Sequence, residues 1–409
     1  MQDSVAQSNR SIALFSPDTI RDRYPVYAEG LRHQGLVTIE GRPGLWAAFR
    51  YADCVALLRD PRLAARPAEF VLTTFEPEQQ SRLSDLVRLL NQWVLFMNEP
   101  QHPPLRKLLN KGFTPSIIEA WRLEIEKVVE RLLTPLRRGS TIELMAEVAY
   151  PLPVHVITAM LGLPPDISQR LLQWSDSIAV CLGNPLRTFE QALEAQRAMI
   201  ALTDYFREIV AERRRRPEND FISLLIGITE DGAVLTEEQL WAQCVALLFA
   251  GHETTRNLIG NGLLTLLMHP NQLAEVRVEG ELSRLALEEL LRYESPVQTT
   301  GRLVTEDLTH GNVTMSKGEA IVFVLGAANR DPDRFEDPSS LNLHRTHNLH
   351  LSFGHGAHFC IGNQLARMEA QIALSRLLTQ FPHMKLIDAV PQWSPNLAFR
   401  SLRTLHLDL

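Results

Sequence analysis

Cys360 stands in the stretch Phe353-Gly354-His355-Gly356-Ala357-His358-Phe359-Cys360-Ile361-Gly362, one cysteine among three glycines, with a long apolar helical pattern starting immediately after it. Glycine lets a backbone turn tightly and approach a flat ligand closely. A helix beginning here directs its N-terminal N–H groups and positive dipole end at the sulfur, favouring thiolate over thiol. A thiolate held in this way is a soft, electron-donating ligand, suited to one face of a heme iron. Two plainer readings compete. A buried free cysteine beside a loop is what most single intracellular cysteines are. A zinc site from His355, His358 and Cys360 lacks the second Cys or His pair that would complete four ligands.

Three further groupings could carry chemistry. His102 and Arg106 are four apart on a helix opened by prolines, so they share one face and suit an anionic group, or form a solvated surface pair. Ala250-Gly251-His252-Glu253-Thr254-Thr255 lies in the middle of an apolar helical stretch. Gly251 costs that helix about 1 kcal/mol relative to Ala, which calls for a packing or ligand reason. Thr254 can hydrogen-bond the Ala250 carbonyl and open a groove, although a mid-helix Glu-Thr-Thr is more often a solvated stripe. Glu289 and Arg292 are three apart on one face, which in most proteins is a surface ion pair worth under ~1 kcal/mol.

The elements that must position these residues are mostly helices. Leu36–Ile39 and Leu45–Phe49 alternate around Gly41-Arg42-Pro43-Gly44 and read as a β-hairpin, followed by a short helix from Tyr51 to Leu58. Residues from about Ala65 to Val94 mix polar and apolar positions and show no sustained period. From Pro115 to about Arg216 the pattern is almost wholly helical, broken at Gly139-Ser140, Leu163-Pro164-Pro165 and Gly183-Asn184-Pro185. The last break could belong to a lid, or Ile178, Val180 and Leu182 could simply be core. Thr236 to about Leu267 forms one long helix with a capping signal at Thr236-Glu237-Glu238-Gln239 and apolar faces too wide for a surface helix. Ser295-Pro296-Val297-Gln298-Thr299-Thr300-Gly301-Arg302 leaves a helix as an extended strand.

Composition narrows the class. Four scattered cysteines (Cys54, Cys181, Cys244, Cys360) imply no disulfide framework and fit a reducing cytoplasm. Residues Met1 to Phe15 carry no signal-peptide core, and no stretch approaches the ~20 apolar residues of a membrane span. A net charge of −7 argues against nucleic acid, and Arg213–Arg216 read as a solvated helix C-terminus favoured by the dipole.

The Cys360 stretch resembles the heme-binding loop of the cytochromes P-450, whose pattern Phe-Gly-x-Gly-x-His-x-Cys-x-Gly it meets at every position. Residues 250–255 resemble that family's oxygen-binding kink, Ala-Gly-x-(Asp/Glu)-Thr. The resemblance implies a single mainly α domain over residues 1–409, a helical bundle with a small β region, whose long central helix (about 236–267) crosses over one heme b opposite the thiolate loop (353–362). Cys360 is then the iron ligand. His102, Arg106, Arg302 and His358 are propionate partners, and Ala250, Gly251, Phe353, Gly354 and Gly362 shape the cofactor site. Thr254 hydrogen-bonds activated dioxygen and Glu253 relays protons. Glu289, Arg292 and Arg345 form a buried triad bracing the proximal loop; where the family often has Asp, this chain has Asn342. Val297, Gln298 and Thr299 are expected to line the substrate pocket, and residues from about Ala65 to Val94 to form a mobile loop facing it.

The implied activity is monooxygenation of a small organic substrate, most often hydroxylation in secondary metabolism. Electrons would come from a ferredoxin and its reductase, or a flavodoxin, docking where Arg106, Lys107, Lys111 and Arg367 cluster. The chain is expected to be a cytoplasmic monomer without nucleic-acid or membrane partners. A peroxide-driven peroxygenase of the same fold is one rival, which retention of Glu253 and Thr254 argues against. A non-catalytic heme sensor or carrier is the other, in which that pair has no evident place.

Overall fold

A computed structural model of the chain describes residues 11–164, 167–230, 235–388 and 390–409. The first ten residues and Pro165 of the Leu163–Pro165 break lie outside these. Helices dominate, and the longest is central. It runs Glu237–Met268 and starts with the expected capping box: Thr236 Oγ1 accepts from the Gln239 N–H at 3.2 Å, and Gln239 Oε1 accepts from the Thr236 N–H at 3.1 Å. It packs against Pro151–Met160, Phe189–Arg215, Arg284–Tyr293 and Asn363–Gln380. This encirclement is why its apolar residues show no single stripe. Among the described residues no helix is long and apolar enough to cross a membrane.

The β region is set to one side. Its main sheet has the order Ser11–Ile12, Val37–Ile39, Arg42–Ala48, Ala320–Val324, Thr299–Val304, Leu63–Ala65. The hairpin turns at Glu40-Gly41, with Gly41 at φ 68°, so its second strand begins at Arg42, earlier than alternation suggested. Thr299–Val304 runs antiparallel to Ala320–Val324 on one side and to Leu63–Ala65 on the other, with Ala65 opposite Arg302. That register places the residues after Ala65 beside Gly301.

Two expectations are corrected. Residues 65–94 are not a loop: Ala68–Val71, Pro77–Arg82 and Ser84–Leu90 are helical, and Leu83, Leu86, Leu89 and Leu90 are buried. Each helix has two turns or fewer, too short for a period to emerge from the sequence. The stretch 115–216 is also less uniform than expected. Thr141–Glu143 is a strand paired with His406–Asp408, and Met145–Ala149 forms a π-helical turn. A partner more than 260 residues away leaves no local signal.

Candidate active site

The Cys360 loop is shaped before the helix begins. Gly354 and Gly356 adopt φ of 72° and 74°, and a Cβ on Gly356 would collide with the Leu58 carbonyl oxygen. The Cys360 N–H donates to the Phe353 carbonyl at 2.9 Å, folding the loop back on itself. The ring of Phe353 packs against Phe359 and beneath the Arg367 guanidinium. Helix Asn363–Gln380 follows Gly362, whose backbone N–H reaches toward the sulfur. Burial nevertheless raises the Cys360 thiol above its ordinary value, against the pull of that N–H and of Arg106 and Arg367. The Gly362 N–H and both guanidinium groups act in the direction the dipole argument expects, toward thiolate.

Behind the loop is a closed polar frame. Arg292 donates from Nε and Nη2 to Glu289, each at 2.8 Å, with both side chains fully buried. Arg345 Nε donates to the same carboxylate at 3.1 Å. The Asn342 backbone N–H and Asn348 Nδ2 complete it at 2.9 and 3.0 Å. Asn342 thus serves through its backbone, and its side chain caps the His344 N–H. Asn329 ties the frame to the Cys360 loop: its Nδ2 donates to Ser295 and Ser352, and its Oδ1 accepts from the Leu351 N–H at 2.6 Å.

The central helix presents one break in its burial. From Ala242 to Leu266 every residue is buried except Ala250, Gly251 and Thr254. Ala250 and Thr254 lie one turn apart on one face, and Thr254 Oγ1 donates to the Ala250 carbonyl at 3.3 Å. Gly251 points elsewhere: a Cβ there would meet Ile157 at 3.0 Å, so its reason is close helix packing. Glu253 is buried, 2.7 Å from Arg256, which bonds Asp176 at 2.7 Å and lies over the Tyr150 ring. The Asp176 side chain is half exposed, so Arg256 and Asp176 connect Glu253 toward solvent. Burial raises the Glu253 carboxyl to about 7 despite Arg256.

Four cation-capable groups converge, and Glu99 is the weakest of the charges acting on His102. His102 and His358 rings sit 4.2 Å apart. Burial lowers both, and Arg302 and Arg106 add to the effect; His358 falls to about 3. Among the described residues His102 Nε2 is buried without a partner. Arg302 is buried, lowered to about 10, and among the described residues donates only to the Gly301 carbonyl and weakly to Thr300. Arg106 differs from expectation in donating to the Phe359 carbonyl beside Cys360. A rim of mutually repelling donors with a buried orphan nitrogen fits a ligand that brings its own carboxylates, as heme does. With Cys360 at the loop and the uncovered face of the central helix, the residues present fit the group.

A cavity of about 630 Å³ reaches the central helix at Phe249 and is walled by Phe70, Leu182, Thr299 and Phe399. Gln298 is not part of it. It is buried, accepting from Tyr27 Oη at 2.9 Å and donating to the Ser295 carbonyl at 2.7 Å. Val297 forms a bridge with Phe399. Gly183, Leu182 and Pro185 do border the cavity, whereas Ile178 is core. Arg367 leaves the expected docking cluster, since Glu288 binds it at 2.6 and 3.0 Å; Lys107 and Lys111 stay exposed. Sequence reading missed Asn329, Asn348 and Asp176, whose partners are remote in the chain, and also Arg256, although it stands only three residues from Glu253.

A mainly helical frame closing on a cation-rimmed cleft with one cysteine at its loop is the architecture of a heme enzyme. The Cytochrome P450 family model matches residues 68–397. The biotin biosynthesis cytochrome P450 of Bacillus subtilis is 37% identical over 389 residues, covering 95% of this chain and 94% of that protein. The polyketide biosynthesis cytochrome P450 PksS of the same organism is 35% identical, covering 89% of each. The crystal structure of P450BioI in complex with hexadec-9Z-enoic acid ligated acyl carrier protein superposes with a TM-score of 0.88 at 35% identity, covering 96% of this chain and all of that one. The chain belongs to the cytochrome P450 family. It is a monooxygenase, with heme b as its cofactor.

Proposed function

We propose that this chain, as one domain over its whole length, uses dioxygen and two externally supplied electrons to hydroxylate a small organic substrate in secondary metabolism. Bound, the heme supplies the oxidising chemistry, delivering one oxygen atom of dioxygen to a C–H bond while the other leaves as water. Cys360 Sγ would hold the iron, and His102, Arg302 and His358 the propionates, with Arg106 bracing the loop at Phe359. The observation that carries the reading is the single uncovered face, Ala250 and Thr254, on a helix otherwise buried from Ala242 to Leu266. A hydroxyl there has only a 3.3 Å bond to its own helix and is free to turn toward a ligand. The buried Glu253 carboxyl, raised to about 7, is placed to hold a proton in the interior, and Arg256 links it to the half-exposed Asp176. The names of the biotin and polyketide relatives support a biosynthetic substrate.

Lys107 and Lys111, on the helix whose Arg106 touches the Cys360 loop, suit docking of an acidic ferredoxin in the cytoplasm. The chain would act as a monomer. The test is turnover of the ferredoxin-reduced holoenzyme under heavy-isotope dioxygen. One labelled oxygen should enter the product, and Thr254→Ala should lower product formed per electron pair consumed. Unlabelled product, or unchanged coupling in Thr254→Ala, refutes the assignment.

A further inference from the structure

The lining of the 630 Å³ cavity is of two kinds: Phe249, next to Ala250 on the central helix, is buried, whereas Arg42, Arg66 and Arg187 are part-exposed. Arg66 is the anomaly. Burial is the main cause lowering its guanidinium to about 10, and Arg187 adds repulsion. Its Cζ lies 5.1 Å from the Phe70 ring centroid, and among the described residues no carboxylate or carbonyl accepts a hydrogen bond from it. Arg66 is part-buried and lines the cavity, so an anion entering there would meet a guanidinium that no carboxylate neutralises.

Its neighbours do not complete it. Arg187 donates to the Val71 and Asn184 carbonyls, each at 3.1 Å, and so is held in place without being neutralised. Arg42 stacks near Phe15 and repels Arg187. The bordering acid, Glu319, is turned to other partners, accepting from Trp46 Nε1 at 2.8 Å and the Ser316 N–H at 3.0 Å.

Nor does Arg66 belong to the heme-carboxylate rim. Ala65 pairs with Arg302, so Arg66 is one step further along and its side chain takes the other face of the sheet. There its Cζ lies 3.4 Å from where a Gly301 Cβ would be. Asn98 clamps the backbone just before it, bonding Ala65 N and O at 2.6 and 3.1 Å. The guanidinium is thus placed by sheet register, a second-residue clamp and the absence of a side chain at Gly301.

We propose that this cavity recognises a substrate with an oxyanion at one end of an apolar chain. Arg66 binds the oxyanion in a forked hydrogen bond, with Arg187 and Arg42 adding positive potential. The chain runs inward along Phe70 and Phe399 to Phe249, so oxidation falls on carbons remote from the anionic end. The oxyanion is either a free carboxylate or the phosphate of an acyl phosphopantetheine. This deepens the proposed function and rests on it for the oxidation step only.

The test is calorimetric binding to the heme-loaded chain, with dodecanoate, dodecanoyl phosphopantetheine and neutral dodecanamide as probes. At least one anion should bind about tenfold or more tighter than the amide. Arg66→Gln should remove about 10- to 100-fold of that anion's affinity, with amide binding unchanged. Which anion gains identifies the source. Equal binding of all three probes, or equal losses for anion and amide in Arg66→Gln, overturns the proposal. Should that variant not fold, Arg187→Gln must show the same anion-selective loss in weaker form, and its absence is equally fatal. Binding is read without turnover, so anion selectivity persisting while no labelled oxygen enters product would sink only the monooxygenase reading.

Discussion

The frame behind Cys360 and the rim above it both bury arginines, and they treat them oppositely. Around Glu289 both guanidinium groups reach an acid: Arg292, Arg345, Asn348 Nδ2 and the Asn342 N–H share one carboxylate, and among the described residues only Asn348 Oδ1 of this group lacks a partner. Among the described residues at the rim, His102 Nε2 has no partner, and Arg302 finds one good carbonyl and no acid. Buried polar groups are almost always satisfied in a finished protein. A closed network therefore marks architecture, and an open one marks where a guest supplies the missing half. By the same criterion Arg66 is open and Arg187 only partly closed.

The difference can be attacked from its centre outward. Cys360→Ser carries the largest effect, because the loop geometry survives while the soft ligand is lost. The reduced carbon monoxide complex should lose the long-wavelength band that gives the family its name, and turnover should vanish. A fully active variant would overturn the assignment of the iron ligand. Next comes the closed network. Glu289→Ala leaves Arg292 and Arg345 buried with no carboxylate, so unfolding should become easier by about 3–5 kcal/mol. A loss under about 1 kcal/mol in denaturant melts would mean the frame is not the brace described.

The open network should behave with the opposite sign. Arg302→Leu removes a buried charge that no acid neutralises, so the heme-free chain should be as stable as the parent or more so. Heme affinity, however, should fall about 10- to 100-fold, measured as transfer of heme to an acceptor globin. If both quantities fall together, Arg302 is a structural residue and the contrast with Glu289 fails.

These two networks were unequally legible in the sequence. Cys360, Glu289–Arg292 and the capped central helix are local patterns, visible as spacings of three or four residues. Arg345 could be nominated only through the family resemblance, since 56 residues separate it from Glu289. The short helices after Ala65 were invisible because none spans enough turns to show a period. Gln298 was misread for a general reason: a polar residue on a strand looks the same facing a pocket or facing Tyr27. Arg66 gave no signal at all. Its meaning depends on what fails to surround it, and an absence of partners is a property of the folded packing alone.

Glu253 lies between the two networks and gives the smallest, most pointed test. It has a cationic neighbour in Arg256 at 2.7 Å, yet Oε2 lacks an aligned donor, so the pair is only half closed. Burial outweighs Arg256 and raises its carboxyl from 4.5 to about 7. The folded chain therefore keeps a proton that the unfolded chain releases, and folding loses stability as pH rises from about 4.5 through 7. Glu253→Gln removes this dependence. The variant's stability relative to the parent should climb between pH 5 and 8 by about 2 kcal/mol, then level off. His252 and His358 are lowered from 6.5 to about 3, so their contribution reaches into the lower part of that window, but it is common to parent and variant and cancels in the difference. Melts of parent and variant at each pH give the difference directly. A flat difference would place Glu253 with the closed frame, ionised throughout and held by Arg256, and would leave it no proton to hold at neutral pH.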